Sequence, residues 1–185
     1  MMNDIERVLF NEECLKNAVN EIGRKISSDY RDKNLLMVSI LKGSVVFMSD
    51  LIRAISIHCM VDFMCVSSYG SGPKTSGVVK ILKDLDIEIA GYDVLIVEDI
   101  LDSGITLSYI MELIRARNPA SIRICTLFDK PVKRDVAIKL DYKGLEVPDE
   151  FIVGYGLDYN EKYRNLRFVG VLKPKIYDKQ NRGSL

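Results

Sequence analysis

The sequence predicts an α/β fold, a mostly parallel sheet flanked by helices. Short, nearly continuous apolar runs at residues 35–41 (LLMVSIL) and 94–97 (VLIV) read as strands buried on both faces. Stretches of helical period lie between such runs, and the order strand, turn, helix, strand repeats along the chain. At 185 residues, 48% hydrophobic and 28% charged, the chain can bury a substantial core, and residues 1–185 are expected to form one domain.

The elements follow in order. Residues 11–28 place Leu15, Ala18, Val19, Ile22 and Ile26 at helical spacing, with Asn11 as a cap and Glu12 and Glu13 at the positive helix start. After the strand at 35–41 and the turn at Gly43 and Ser44, residues 45–57 read as the next helix. A second strand is expected at 60–66, and a mobile loop at 67–76 (SSYGSGPKTS), which has no periodicity. Strand character resumes at 78–82 and is strongest at 94–97. The helix that follows carries Leu107, Ile110, Met111 and Ile114 on one face and stops at Asn118 and Pro119. Residues 122–127 give another strand, and the tail KPKIYDKQNRGSL reads as a fraying edge segment. Met37, Met48, Met60 and Met64 fit the core.

Composition excludes several classes. Lys plus Arg and Asp plus Glu each total 26, so no bulk positive field draws in a nucleic acid, and any anion must be bound by local geometry. Cys14, Cys59, Cys65 and Cys125 form no C-x-x-C pair and suit reduced core thiols rather than a zinc site. No run approaches the ~18 apolar residues of a membrane span, so a cytoplasmic location without a membrane partner is expected. His58, the one histidine, has no Ser or Cys arrangement pointing at it, which gives triad chemistry no support.

The chemistry concentrates at residues 99–106. This segment joins a buried strand to a helix, so backbone N–H groups and the Ser103 and Thr106 hydroxyls would converge on a phosphate monoester. It lacks the Gly-Lys-Ser/Thr ending of a P-loop and the three glycines of a dinucleotide fingerprint. By itself it fits a Ser-capped helix equally well.

The full string VLIVEDILDSGIT, residues 94–106, resembles the phosphoribosyl pyrophosphate motif of the type I phosphoribosyltransferases. The resemblance implies that family's fold, a core at about residues 30–150 with a small hood over the active site built from the N-terminal and C-terminal segments. It implies that Glu98 and Asp99 hold the ribose hydroxyls, directly or through Mg2+ and its water, and that Asp102, Ser103, Gly104, Ile105 and Thr106 surround the 5-phosphate. Two carboxylates beside a phosphate would repel it unless a cation or hydroxyl donors lie between them, a physical reason for magnesium here. Asp102 would take the proton from purine N7 as N9 attacks the anomeric carbon.

Four further segments resemble the hypoxanthine-guanine branch. In LKGS, residues 41–44, the peptide between Leu41 and Lys42 can be cis in relatives, and Lys42 and Gly43 would meet the pyrophosphate. Ser68 and Tyr69 would close over the reaction centre. Lys130 would donate to purine O6, which favours hypoxanthine and guanine over adenine. In EFIVGYGLDYNEKYRNL, residues 150–166, Phe151 would stack on the purine and the Ile152 backbone would meet its edge. Asp158 would bind magnesium held by pyrophosphate, its backbone reaching the purine 2-substituent, and Arg164 would clamp the leaving group. Tyr155, Tyr159 and Tyr163 read as packing residues.

The resemblance implies purine salvage: phosphoribosyl pyrophosphate and hypoxanthine or guanine give IMP or GMP and pyrophosphate. Relatives are commonly homodimers or homotetramers. The alternatives are a nucleotide-sensing regulator that keeps the fold, which could lose Lys130, Phe151 and Asp158, and an enzyme that prefers xanthine. A phosphatase or receiver domain would leave residues 150–164 unexplained.

Overall fold

The structure, a computed structural model, describes residues 1–68 and 79–178. Its strands are β1 (Ile5–Phe10), β2 (Leu35–Leu41), β3 (Met60–Ser68), β4 (Val79–Lys83), β5 (Asp93–Leu101), β6 (Ser121–Asp129), β7 (Tyr142–Glu146), β8 (Ile152–Val153) and β9 (Val169–Leu172). The helices are α1 (Glu12–Asp29), α2 (Val45–Ala54), α3 (Ile105–Arg115) and a single turn, α4 (Pro174–Tyr177).

Two sheets result. The larger has strand order β4-β3-β2-β5-β6-β7 and is parallel except for β4, which runs antiparallel to β3. Strand alternation sorts its side chains onto two faces. Leu35, Met37, Leu95 and Val97 pack with α1 and α2, whereas Leu36, Val38, Ile40, Val94 and Ile96 pack with Leu107, Ile110 and Ile114 of α3. The smaller sheet, ordered β1-β9-β8, is antiparallel and joins the two ends of the chain in a hood.

Local chemistry explains the helix ends. Asn11 accepts a hydrogen bond from Cys14 N at 2.8 Å, which caps α1 beside Glu12 and Glu13. Leu15, Val19, Ile22 and Ile26 are buried as their spacing predicts. α2 stops three residues short of the expected end: Ile55 turns extended, and Ser56 N donates to Ser27 Oγ on α1 at 3.0 Å instead of continuing the helix. α3 ends at Arg115, and Asn118 takes a positive φ.

The structure corrects several further expectations. β3 runs two residues into the expected loop because Ser67 and Ser68 pair with Lys80 and Val79; Tyr69 and the rest of that loop lie outside the described residues. β5 extends past its apolar run through Glu98 and Asp99, since β6 continues alongside it and pairs Glu98 with Thr126 and Leu101 with Asp129. The tail, expected as a fraying edge segment, begins with the α4 turn, entered through Pro174, and residues 179–185 lie outside the described residues. Met60 is 43% exposed at the start of β3, unlike Met37, Met48 and Met64, and of the cysteines Cys125 alone is fully buried.

Candidate active site

The chain runs from β2 outward to β3 and β4, then returns to the other side of β2 with β5. That reversal leaves a crevice between the carboxyl ends of β2 and β5, the place where open α/β sheets bind ligands. Lys42 and Gly43 leave β2 there, residues 102–104 leave β5, and Lys130 leaves β6.

Glu98 and Asp99 lie near the end of β5. Burial, and then the neighbouring Asp99, raise the Glu98 carboxyl well above its ordinary value. Burial also pushes Asp99 up to about 6, partly offset by the Ile100 amide, which donates to Asp99 Oδ1 at 2.7 Å, and by the Arg164 charge. Two adjacent half-buried acids, the second of which raises the first, make a place where a hard divalent cation would fit. Among the described residues no group of three or more His, Cys, Asp or Glu is arranged to hold a metal by itself.

The next turn leads into α3. Gly104 occupies the cap position with φ 85°, and no side chain caps the helix. The Ser-capped alternative is not realised: Ser103 Oγ reaches only the Ile105 amide, at 3.4 Å. A Cβ on Gly104 would meet the Val136 carbonyl at 3.0 Å, so the loop needs glycine for both conformation and space. Asp102 is exposed, two residues before the cap, so it does not serve as a helix cap. The Ile105 and Thr106 side chains are half-buried at the helix start.

The peptide between Leu41 and Lys42 is cis. Ser44 is buried behind it, with its hydroxyl on Ser39 Oγ at 2.7 Å and on the Ile40 carbonyl. Gly43 lies against Asp99, and its carbonyl faces Gly156 so closely that a Cβ on Gly156 would be 2.1 Å away. Arg164 Nη1 donates to the Gly156 carbonyl at 2.8 Å, so Asp99, Gly43, Gly156 and Arg164 form one continuous wall. Arg164 also pairs with Asp158 at 2.8 Å and with Glu161 at 3.4 Å, and Glu161 reaches Lys42 at 3.3 Å.

At the far end, Lys130 is 9% exposed, and its ammonium donates to the Glu150 carbonyl at 3.0 Å beside Asp149 at 3.2 Å. Phe151 remains 36% exposed, with its ring stacked on Tyr177 at 4.9 Å and edge-on to Tyr159 at 5.5 Å. Ile152 is buried in β8. Tyr155 and Tyr163 are buried packing residues, as expected; Ser68 ends β3 and Tyr69 is outside the described residues.

Sequence reasoning missed several residues around this site. Arg7 and Glu150 form a two-pronged ion pair that ties β1 to the segment carrying Phe151. Arg134 bonds the Asp102 carbonyl, and Asp149 holds Lys130. Glu150 opens the quoted segment 150–166 but was given no role there, and Arg7, Arg134 and Asp149 stand in no motif or periodic pattern, so only the folded strand ends reveal them.

Comparison with known proteins agrees with this architecture. The family model described as the phosphoribosyl transferase domain matches residues 9–160. Over 178 residues the chain is 53% identical to the hypoxanthine-guanine phosphoribosyltransferase of Bacillus subtilis (strain 168), covering 96% of this chain and 99% of that protein. It is 52% identical over 177 residues to the bifunctional protein TilS/HprT of Listeria innocua, spanning 27% of that longer protein. A crystal structure of a hypoxanthine phosphoribosyltransferase from Staphylococcus aureus, 51% identical, aligns with a TM-score of 0.93 over 96% of each chain. The chain belongs to the phosphoribosyl transferase domain family, and within it to the hypoxanthine-guanine phosphoribosyltransferases.

Proposed function

We propose that the chain transfers the 5-phosphoribosyl group of phosphoribosyl pyrophosphate to N9 of hypoxanthine or guanine, giving IMP or GMP and pyrophosphate. The observation that carries this reading is the convergence, at the carboxyl edge of one sheet, of the half-buried Glu98 and Asp99 pair with Gly43 on one side and the Lys130 ammonium on the other.

Each residue then has a task. Amides of residues 102–106 and the Ser103 and Thr106 hydroxyls hold the 5-phosphate at the start of α3. Glu98 and Asp99 hold the ribose hydroxyls. Phe151 offers its exposed ring to the purine, the Ile152 backbone meets its edge, and Lys130 donates to O6, a contact that the amino group of adenine cannot accept. As the bond from the anomeric carbon to pyrophosphate breaks and the bond to N9 forms, Asp102 takes the N7 proton. Lys42, the Gly43 backbone and Arg164 receive the departing pyrophosphate, while Ser68 and Tyr69 close over the centre. Magnesium, held by Glu98, Asp99 and Asp158 with substrate oxygens, would neutralise charge on the ribose hydroxyls and pyrophosphate. No covalent nucleophile is invoked, so orientation and charge stabilisation supply the rate.

All 185 residues act as one unit in this reading, because a single apolar cluster runs from α1 through the sheet to Ile152, Val169 and Val171 of the hood. Among the described residues no helix is long and apolar enough to cross a membrane. A cytoplasmic homodimer or homotetramer that binds small molecules and no nucleic acid completes the proposal.

The test mixes purified protein, magnesium and phosphoribosyl pyrophosphate separately with hypoxanthine, guanine, xanthine and adenine, and follows nucleotide formation by absorbance. IMP and GMP are expected. Preferential XMP would move the assignment to xanthine, and phosphoribosyl pyrophosphate binding without any product would leave a regulator.

A further inference from the structure

We infer that Arg134 is a positioning residue for Asp102, fixing the backbone from which the proposed base projects. The inference rests on the reading of Asp102 as the group that accepts the purine proton.

Between the end of β5 and the cap of α3, the Asp102 and Ser103 carbonyls have neither ladder nor helical partners, whereas the Leu101 carbonyl still accepts from the Lys130 amide at 3.0 Å. Residues 134–136 supply donors to both, and Arg134 reaches Leu101 as well. Arg134 Nε donates to the Asp102 carbonyl at 3.1 Å, and Nη2 donates to the Leu101 carbonyl at 3.4 Å. The Asp135 and Val136 amides both donate to the Ser103 carbonyl at 3.0 Å. The guanidinium is itself anchored, since Nη2 also binds the carboxylate of Asp129, the last residue of β6, which Lys143 approaches at 3.3 Å. Asp129 stands opposite Leu101 in the β5–β6 register, so the strand that forms one wall of the site also supports the clamp.

This arrangement suits a positioning role. The Asp102 side chain is exposed and caps nothing, so its location depends on its backbone. The hydrogen bond to the Asp102 carbonyl comes from Arg134, which is largely buried. A planar guanidinium can reach both carbonyls and the carboxylate at once; a lysine ammonium in the same place has no such fork. Because a base acts only within hydrogen-bond reach of its proton, a shift of about 1 Å in this loop can cost ~100-fold in rate.

The test compares wild type with Arg134→Lys, Arg134→Ala, Asp129→Asn, Asp129→Asn/Arg134→Ala and Asp102→Asn. Steady-state kinetics with hypoxanthine are paired with thermal unfolding. Arg134→Lys and Arg134→Ala should lower kcat by roughly 10- to 100-fold while both KM values stay within about twofold. The Tm of Arg134→Lys should remain near that of wild type. Asp129→Asn should lower kcat less, and the double variant should be no slower than Arg134→Ala, because both changes loosen one clamp. Unchanged kcat in Arg134→Lys overturns the inference, as does a loss confined to KM or one that follows Tm across the series. Full turnover by Asp102→Asn would sink the base assignment itself. A slow Asp102→Asn beside a fast Arg134→Lys would leave that assignment standing and remove Arg134 alone.

Discussion

A Cβ built on Gly43 would lie 1.7 Å from Asp99 Oδ2, so the loop leaving β2 is seated directly on a carboxylate of the acid pair. The obstructing atom is the end of a side chain rather than backbone, so Gly43→Ala should be accommodated by rotation of Asp99. The expected result is a higher KM for phosphoribosyl pyrophosphate with little change in Tm. Steady-state kinetics and thermal unfolding check it, and a Tm loss at unchanged KM would place the strain in the fold instead.

Asp102→Asn keeps the shape of the proposed base and removes its basicity. Turnover should fall by about 10²- to 10⁴-fold with both substrates still bound. Calorimetric binding beside a single-turnover assay separates the two effects, and wild-type turnover would take Asp102 out of the reaction.

Lys130→Ala removes a nearly buried donor at the proposed purine end of the crevice. Hypoxanthine binding should weaken by roughly 1–3 kcal/mol while phosphoribosyl pyrophosphate binding is retained. Titration of each ligand measures the split. Asp149→Asn, which removes the charge beside that ammonium, should weaken the base in the same direction by a smaller factor.

The acid pair also sets a pH dependence. Burial, and then Asp99, raise Glu98; burial raises Asp99 to about 6. Within the window from the ordinary values of 4.5 and 3.8 up to the raised ones, the folded ligand-free protein holds these protons more tightly than the unfolded chain. These groups therefore favour folding at low pH, and their contribution declines as pH rises through about 6. Glu98→Gln should unfold several degrees higher than wild type at pH 8 and show a flatter decline. Parallel Tm profiles for the two proteins would contradict the burial argument.

The sheet and its helices were legible because their residues repeat: Leu15 to Ile26 at helical spacing, VLIV as an unbroken run. Glu98 and Asp99 stood out as candidate site residues but not as strand, since polar side chains hide a ladder that is held by β6 alongside. The hood was less legible in its elements. β8 and β9 have two and four residues, too short for a period, and the pairing of β9 with β1 joins segments more than 150 residues apart in the chain. The Asp102 loop was singled out by its motif, whereas Arg134 could be found only once residues 134–136 were placed behind that loop.

The order β1-β9-β8 also bears on how the molecule is made. The central strand of the hood follows every other described strand in the sequence, so Ile5–Phe10 stays without its neighbour until Leu172 has been made. The strands of the large sheet lie within residues 35–146 and can assemble earlier, carrying Glu98, Asp99 and the Asp102 loop with them. A nascent chain, or one clipped before β9, would present those groups without the finished hood around Phe151, and that side of the crevice would be completed only once β9 has paired.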